Sequence, residues 1–167
     1  MTAATRSNSA VVTLPTDTQI LITRAFAAPK HLVYKAWTTP ELVKRWWNAK
    51  RGVVTVAEID LRVGGKWRYV MKTDRGFEVG FHGEYREIVP NERLVCTEIY
   101  EGVPAGEPNE GTVNTATFAE QHDRTTLTLL VQAPSKRVRD IIIESGMEAG
   151  LQDALDLLEQ VATSLHS

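Results

Sequence analysis

The sequence predicts an α+β fold in which a curved antiparallel sheet of about six strands wraps around a long C-terminal helix, with two short helices after the first strand. Three observations carry that expectation. Residues 53 to 132 alternate apolar and polar side chains between glycine, proline and asparagine turn signals. Residues 147 to 165 carry one apolar stripe at helical spacing. Two proline-marked helix starts fall at Pro29 and Pro40.

Residues 1–16 are rich in Ala, Thr and Ser without a sustained period and read as a flexible tail, leaving residues 17–167 as one domain. Thr18 to Phe26 is β-prone. Pro29 then stands where a helix can begin, because its missing N–H would have been unpaired anyway, and Leu32, Val33, Ala36 and Trp37 form one apolar stripe. Thr39-Pro40-Glu41 repeats the start signal before Leu42, Val43, Trp46 and Trp47.

In the sheet region Gly64-Gly65 separates Val53–Arg62 from Lys66–Lys72, where Trp67, Tyr69 and Met71 share one parity. Asp74-Arg75-Gly76 turns into Phe77, Val79, Phe81, Gly83 and Tyr85, with Glu78, His82, Glu84 and Arg86 on the other parity. Pro90-Asn91 turns into Leu94–Tyr100. Glu101–Gly111 reads as a long loop suited to a mobile rim, and Thr112–Phe118 with Arg124–Gln132 makes the last hairpin. Pro134-Ser135 caps a first helical segment. Ser145-Gly146-Met147-Glu148 has the spacing of a capping box and predicts a break before the long helix, whose stripe is Met147, Leu151, Ala154, Leu158, Val161 and Leu165. A helix of about 19 residues spans roughly 28 Å, the width of about six strands.

Composition excludes several classes of function. The chain has 167 residues, 43% apolar and 24% charged, the balance of one globular domain. No apolar run approaches the ~20 residues of a membrane span, and residues 1 to 17 lack a secretory signal, so a cytoplasmic location is expected. Net charge is -2 with dispersed basic residues, which argues against nucleic acid or membrane insertion. Lys136, Arg137 and Arg139 read as a solvated helix start rather than a phosphate site. Cys96, the lone cysteine, excludes an intrachain disulfide and reads as a small buried hydrophobe. His31, His82, His122 and His166 are far apart, so neither a metal nor a cofactor is expected.

A sheet with one apolar face must cover it, and only the terminal helix is long enough. The short early helices would close one end of the groove, and small residues at Gly146, Ala149, Gly150 and Ala154 would leave volume beside the sheet or serve close packing. Candidate lining residues are therefore Trp37, Trp46, Trp47, Trp67, Tyr69, His82, Glu84, Cys96, Glu98, Met147, Gly150 and Leu151. His82 and Glu84 share a face that is either solvated or turned inward. Glu98 shares parity with Leu94, Cys96 and Tyr100, and either these or Val95, Thr97 and Ile99 face the cavity.

The run Arg24-Ala25-Phe26-x-Ala28-Pro29, with Val33-x-x-Ala36-Trp37-Thr38-x-Pro40 and Trp46-Trp47, resembles the start of the domain named for the activator of heat-shock protein 90 ATPase. Asp60-Leu61-Arg62-x-Gly64-Gly65-x-Trp67, Gly83-x-Tyr85-x-Glu87-Ile88-x-Pro90-x-x-Arg93-Leu94 and Gly146-Met147-x-x-Gly150 are similar to its later signatures, in the same order, so that the resemblance covers roughly residues 19–163. It implies the helix-grip fold of the Bet v 1-like, START-related superfamily, with a cavity between sheet and helix. The leading expectation is a binding protein for a small hydrophobic molecule, with a homodimer possible and no catalytic residue assigned. A second reading is an aromatase- or cyclase-like enzyme in which His82, Glu84, Glu98 or Asp60 transfers protons. A third, suggested by the family name, is stimulation of a chaperone ATPase. It ranks last, because the eukaryotic activators carry a further N-terminal domain and only about 16 residues precede the domain here.

Overall fold

The computed structural model describes residues 9–102 and 111–165. Among the described residues there are eight strands: β1 (Val11–Thr13), β2 (Gln19–Phe26), β3 (Gly52–Ile59), β4 (Lys66–Thr73), β5 (Glu78–Val89), β6 (Arg93–Tyr100), β7 (Thr112–Gln121) and β8 (Arg124–Gln132). They form one antiparallel sheet in the order β1-β2-β8-β7-β6-β5-β4-β3. The helices are α1 (Lys30–Thr38), α2 (Pro40–Trp46), α3 (Lys136–Glu144) and α4 (Met147–Ser164). Among the described residues no helix is long and apolar enough to cross a membrane.

The strand count exceeds the expected six, in part because of β1. Val11–Thr13 was expected within a tail, yet it pairs with Leu21–Thr23 of β2. The backbone of Ala10 exchanges two hydrogen bonds with the Gln152 side chain on α4, at 3.1 and 2.8 Å. Three residues are too few to display a period, so this edge strand left no pattern to read. Residues 1–8 and most of the expected mobile rim, residues 103–110, lie outside the described residues.

Local chemistry sets the element ends. Ser135 caps α3 by accepting from the Val138 N–H at 3.2 Å. The predicted capping box at Ser145 is not formed, although the break is there. Ser145 Oγ donates instead to the Ile142 carbonyl, and Gly146 adopts φ 83°, the left-handed geometry that ends one helix and lets the next start at a new angle. His122 and Asp123, at φ 54° and 61°, make the two-residue turn joining β7 to β8.

Register shifts between Val54 and Val56 in β3 and between Tyr85 and Glu87 in β5 bend the sheet around α4. The core lies between them, built on Ile20, Ile22, Phe26, Phe118, Leu127, Leu155 and Leu158, all at 1% exposure or less. Arg24 fastens the two layers. Its guanidinium is buried under α4, donates to Asp156 at 2.8 Å and Glu159 at 3.4 Å, and lies 4.6 Å from the Phe26 ring centre. Glu159 also accepts from the Ala27 N–H at 2.8 Å, so one charged cluster fixes where α4 crosses the sheet.

Candidate functional site

Sheet and α4 do not meet everywhere, and the space left between them is a cavity of about 620 Å³. The helices α1 and α2 close one side. Trp37 and Trp46 stack at 5.1 Å, and Trp46 Nε1 donates to the Ala36 carbonyl at 2.9 Å, which locks the two helices into one unit. Both rings line the cavity, and Trp47 lines it next to them. Because α2 ends at Trp46, Trp47 leaves the helix axis and reaches across to Tyr69 (5.4 Å) and Phe81 (5.8 Å) on the sheet.

On the sheet side, Trp67 and Tyr69 of β4, Phe81 and Tyr85 of β5, and Leu94, Cys96, Glu98 and Tyr100 of β6 all line the wall. The parity left open by the sequence is settled by register. Phe81 pairs with Tyr100 and Tyr85 with Cys96, so the face of β6 that follows the β5 aromatics is the one carrying Glu98. Val95, Thr97 and Ile99 face away. From α4 come Met147, Gly150, Leu151 and Ala154.

His82 and Glu84 are corrected: neither lines the cavity. Both sit on the outer face of β5, where His82 Nδ1 meets Glu101 at 2.8 Å and Arg68 forms two 2.9 Å hydrogen bonds to the same carboxylate. The Arg68 guanidinium, with a contribution from His82, holds the Glu101 carboxyl below its usual range. Asp60 lies in the turn after β3, paired with Arg62 at 2.8 Å and exposed. The period of two that put Phe81 and Tyr85 inside necessarily put His82 and Glu84 outside.

Gly83 is the inward-facing position between those two rings. A Cβ there would overlap the Thr97 carbonyl and sit 2.7 Å from the Trp67 indole nitrogen. The missing side chain lets Trp67 lie across β5 and donate from Nε1 to the Thr97 carbonyl at 3.1 Å. That bond fixes one large ring of the wall.

Away from the mouth, a short chain of polar side chains interrupts the apolar wall. Asn114 Nδ2 donates to Glu98 Oε1 at 3.3 Å, and Thr112 Oγ1 donates to Asn114 Oδ1 at 2.9 Å. Burial pushes the Glu98 carboxyl up to about 7, the Cys96 thiol up to about 12, and the Tyr69 phenol well above its usual value. Sequence reading missed Asn114 and Thr112. On β7 the inward set is Thr112, Asn114, Ala116 and Phe118, more polar at one end than the outward Val113, so hydropathy gave no pointer to it.

The mouth is marked by lining residues that are also exposed: Ile141 (53%), Tyr100 (44%), Arg51, Ser145 and Gly146. The kink between α3 and α4 therefore forms one lip. The turn after α2 forms another, where Arg51 is held by Asp153 of α4 at 3.2 Å. Among the described residues no group of three or more histidine, cysteine or acidic side chains is placed to hold a metal.

An antiparallel sheet curved around a C-terminal helix, with an apolar cavity between them, defines a helix-grip protein. The family profile described as Activator of Hsp90 ATPase homolog 1-like protein matches residues 27–163, and the chain belongs to that family. Solved structures similar to it include a protein from Rhodobacter sphaeroides, 23% identical with a TM-score of 0.86 over 95% of this chain and 100% of that one. Protein Ms6760 from Mycobacterium smegmatis is 22% identical with a TM-score of 0.81, covering 93% of this chain and 98% of that one. A Chromobacterium violaceum protein is 27% identical with a TM-score of 0.75, covering 88% and 98% respectively. No curated protein matches the sequence. These likenesses establish the fold, which commonly holds hydrophobic ligands.

Proposed function

We propose that this protein binds a small, largely apolar molecule in the cavity between the sheet and α4. The observation that carries the reading is the cavity itself. Its 620 Å³ falls within the roughly 300–1,000 Å³ typical of ligand sites, and a wall of aromatic and aliphatic side chains interrupted by a small number of polar groups is the usual composition of such sites. The candidate contacts are Trp37, Trp46, Trp47, Trp67, Tyr69, Cys96, Glu98, Met147, Gly150 and Leu151, joined by Phe81, Tyr85, Tyr100 and Asn114. Catalysis by paired acid and base groups has less support, because Glu98 stands in the cavity wall without His82, Glu84 or Asp60 beside it.

Native mass spectrometry of the purified protein, followed by denaturing extraction, tests the proposal. A bound compound at one per chain, or a raised melting temperature with apolar metabolites, is the expected result. An empty protein whose melting temperature no apolar compound moves would defeat it.

A further inference from the structure

Among the described residues the cavity wall holds two charged side chains, and they do not pair with each other. Arg51 stands at the mouth and is engaged by Asp153. Glu98 stands in the wall, accepts a hydrogen bond from Asn114, and forms no ion pair with any lysine, arginine or histidine among the described residues. A carboxyl group in such a place is costly when charged and uncompensated, and a neutral hydroxyl ligand would be recognised as well by an amide or alcohol side chain without that cost. Such a group either keeps its proton or takes a counter-charge from what fills the cavity.

The neighbouring rings suit a cation. Trp67 and Tyr69 lie 4.8 Å apart, Tyr69 and Trp47 5.4 Å, Trp47 and Phe81 5.8 Å, and Phe81 and Tyr100 5.2 Å, a continuous aromatic wall. Glu98 lies on β6 between Cys96 and Tyr100, and is near enough to Tyr69 for its charge to act on that phenol. Ring faces beside a carboxylate are the surroundings an ammonium group takes up when it leaves water.

We infer that the ligand class is a lipophilic amine, whose apolar body fills the cavity and whose protonated nitrogen pairs with the Glu98 carboxylate beside the Tyr69 and Trp67 rings. This rests on the proposed cavity-binding function and narrows it. The other titratable groups of the lining are Tyr69 on β4, Tyr85 on β5, Cys96 and Tyr100 on β6, and Arg51 after α2, while β2, β7, β8, α1, α3 and α4 contribute none. Burial raises the pKa of Tyr69, Tyr85 and Cys96 and keeps them neutral near pH 7, so their titration does not compete with that of Glu98.

The test is calorimetric titration of the full chain, freed of small molecules, with naphthylmethylamine, naphthylmethanol and naphthylacetate at about pH 7.5. The amine is expected to bind at least ~10-fold more tightly than the alcohol, with the carboxylate weakest. Glu98→Gln is expected to remove ~10-fold or more of the amine's affinity and leave the alcohol's within ~2-fold, the alcohol serving as the check that the variant's cavity is intact. Amine affinity should also rise between about pH 5.5 and 8 as Glu98 ionises, while that of the alcohol does not. An alcohol that binds the wild-type protein as tightly as the amine overturns the inference and leaves the binding function standing, and needs no variant to show it. Unchanged amine binding by Glu98→Gln overturns it equally. If none of the three binds, the amine inference falls, and the melting-temperature panel of apolar compounds decides the cavity-binding function separately.

Discussion

Replacing Glu98 by glutamine keeps the shape of the side chain and its contact with Asn114 while removing the proton equilibrium, so it isolates what burying that carboxyl costs. In the unfolded chain the group titrates at its ordinary value of 4.5, and in the cavity wall desolvation raises it to about 7. Between those values the native state holds a proton that the unfolded chain has released. Stability therefore falls as pH rises through this window, is fully penalised above about 7, and is unaffected below about 4.5. At ~1.4 kcal/mol per pH unit the window represents roughly 3 kcal/mol. Glutamine does not pay this penalty. The expected result is that ligand-free Glu98→Gln and wild type melt within about 2 °C of each other near pH 4.5, and that the variant melts roughly 6–10 °C higher near pH 8.5. Other titrating groups are common to both proteins and cancel in the difference. Calorimetric melts across that range check it. Two melting curves that stay parallel across pH would show that Glu98 titrates as a solvated carboxyl, and the account of a desolvated wall would be wrong.

Gly83→Ala forces a Cβ into the Thr97 carbonyl and against the Trp67 indole, and should cost roughly 3 kcal/mol in urea unfolding through overpacking together with the lost Trp67–Thr97 bond. Wild-type stability in that variant would show that β5 and β6 are not so closely apposed. Arg24→Met removes the buried partner of Asp156 and Glu159 and should destabilise by about 3 kcal/mol, with amide exchange accelerated first in α4; a loss under about 1 kcal/mol would mean that packing alone places the helix. Gly150→Ala adds a methyl whose nearest neighbour is the Arg51 guanidinium at 3.6 Å, an ordinary contact, so helix propensity should win and raise stability by about 0.5–1 kcal/mol. Destabilisation by this change would indicate packing tighter than the 3.6 Å contact.

Element order was readable from the chain because its signals are local. Pro40 and Ser135 start helices wherever the chain goes, the β5 alternation from Phe81 to Tyr85 belongs to the strand itself, and the stripe from Met147 to Val161 needs only helical pitch. The tryptophans and the C-terminal small residues were singled out on the same local grounds, as was the break before α4, although a left-handed Gly146 rather than a Ser145 box produces it. A three-residue edge strand such as β1 has no such signal and exists only because β2 and Gln152 are there to receive it.

Which side of each strand faces the cavity was decided by tertiary structure. On β6 both parities mix apolar with polar residues, and only the pairing of Cys96 with Tyr85 and Tyr100 with Phe81 turns Glu98 inward. On β7 the inward face carries Thr112 and Asn114, opposite to what hydropathy alone would place there, because a cavity rather than a packed core lies beneath it. The same pairing sends His82 and Glu84 outward, where His82 meets Glu101. A sequence specifies the period of its own side chains, but the phase of that period relative to a cavity is set by neighbours distant in the chain, and so the fold could be read before the site.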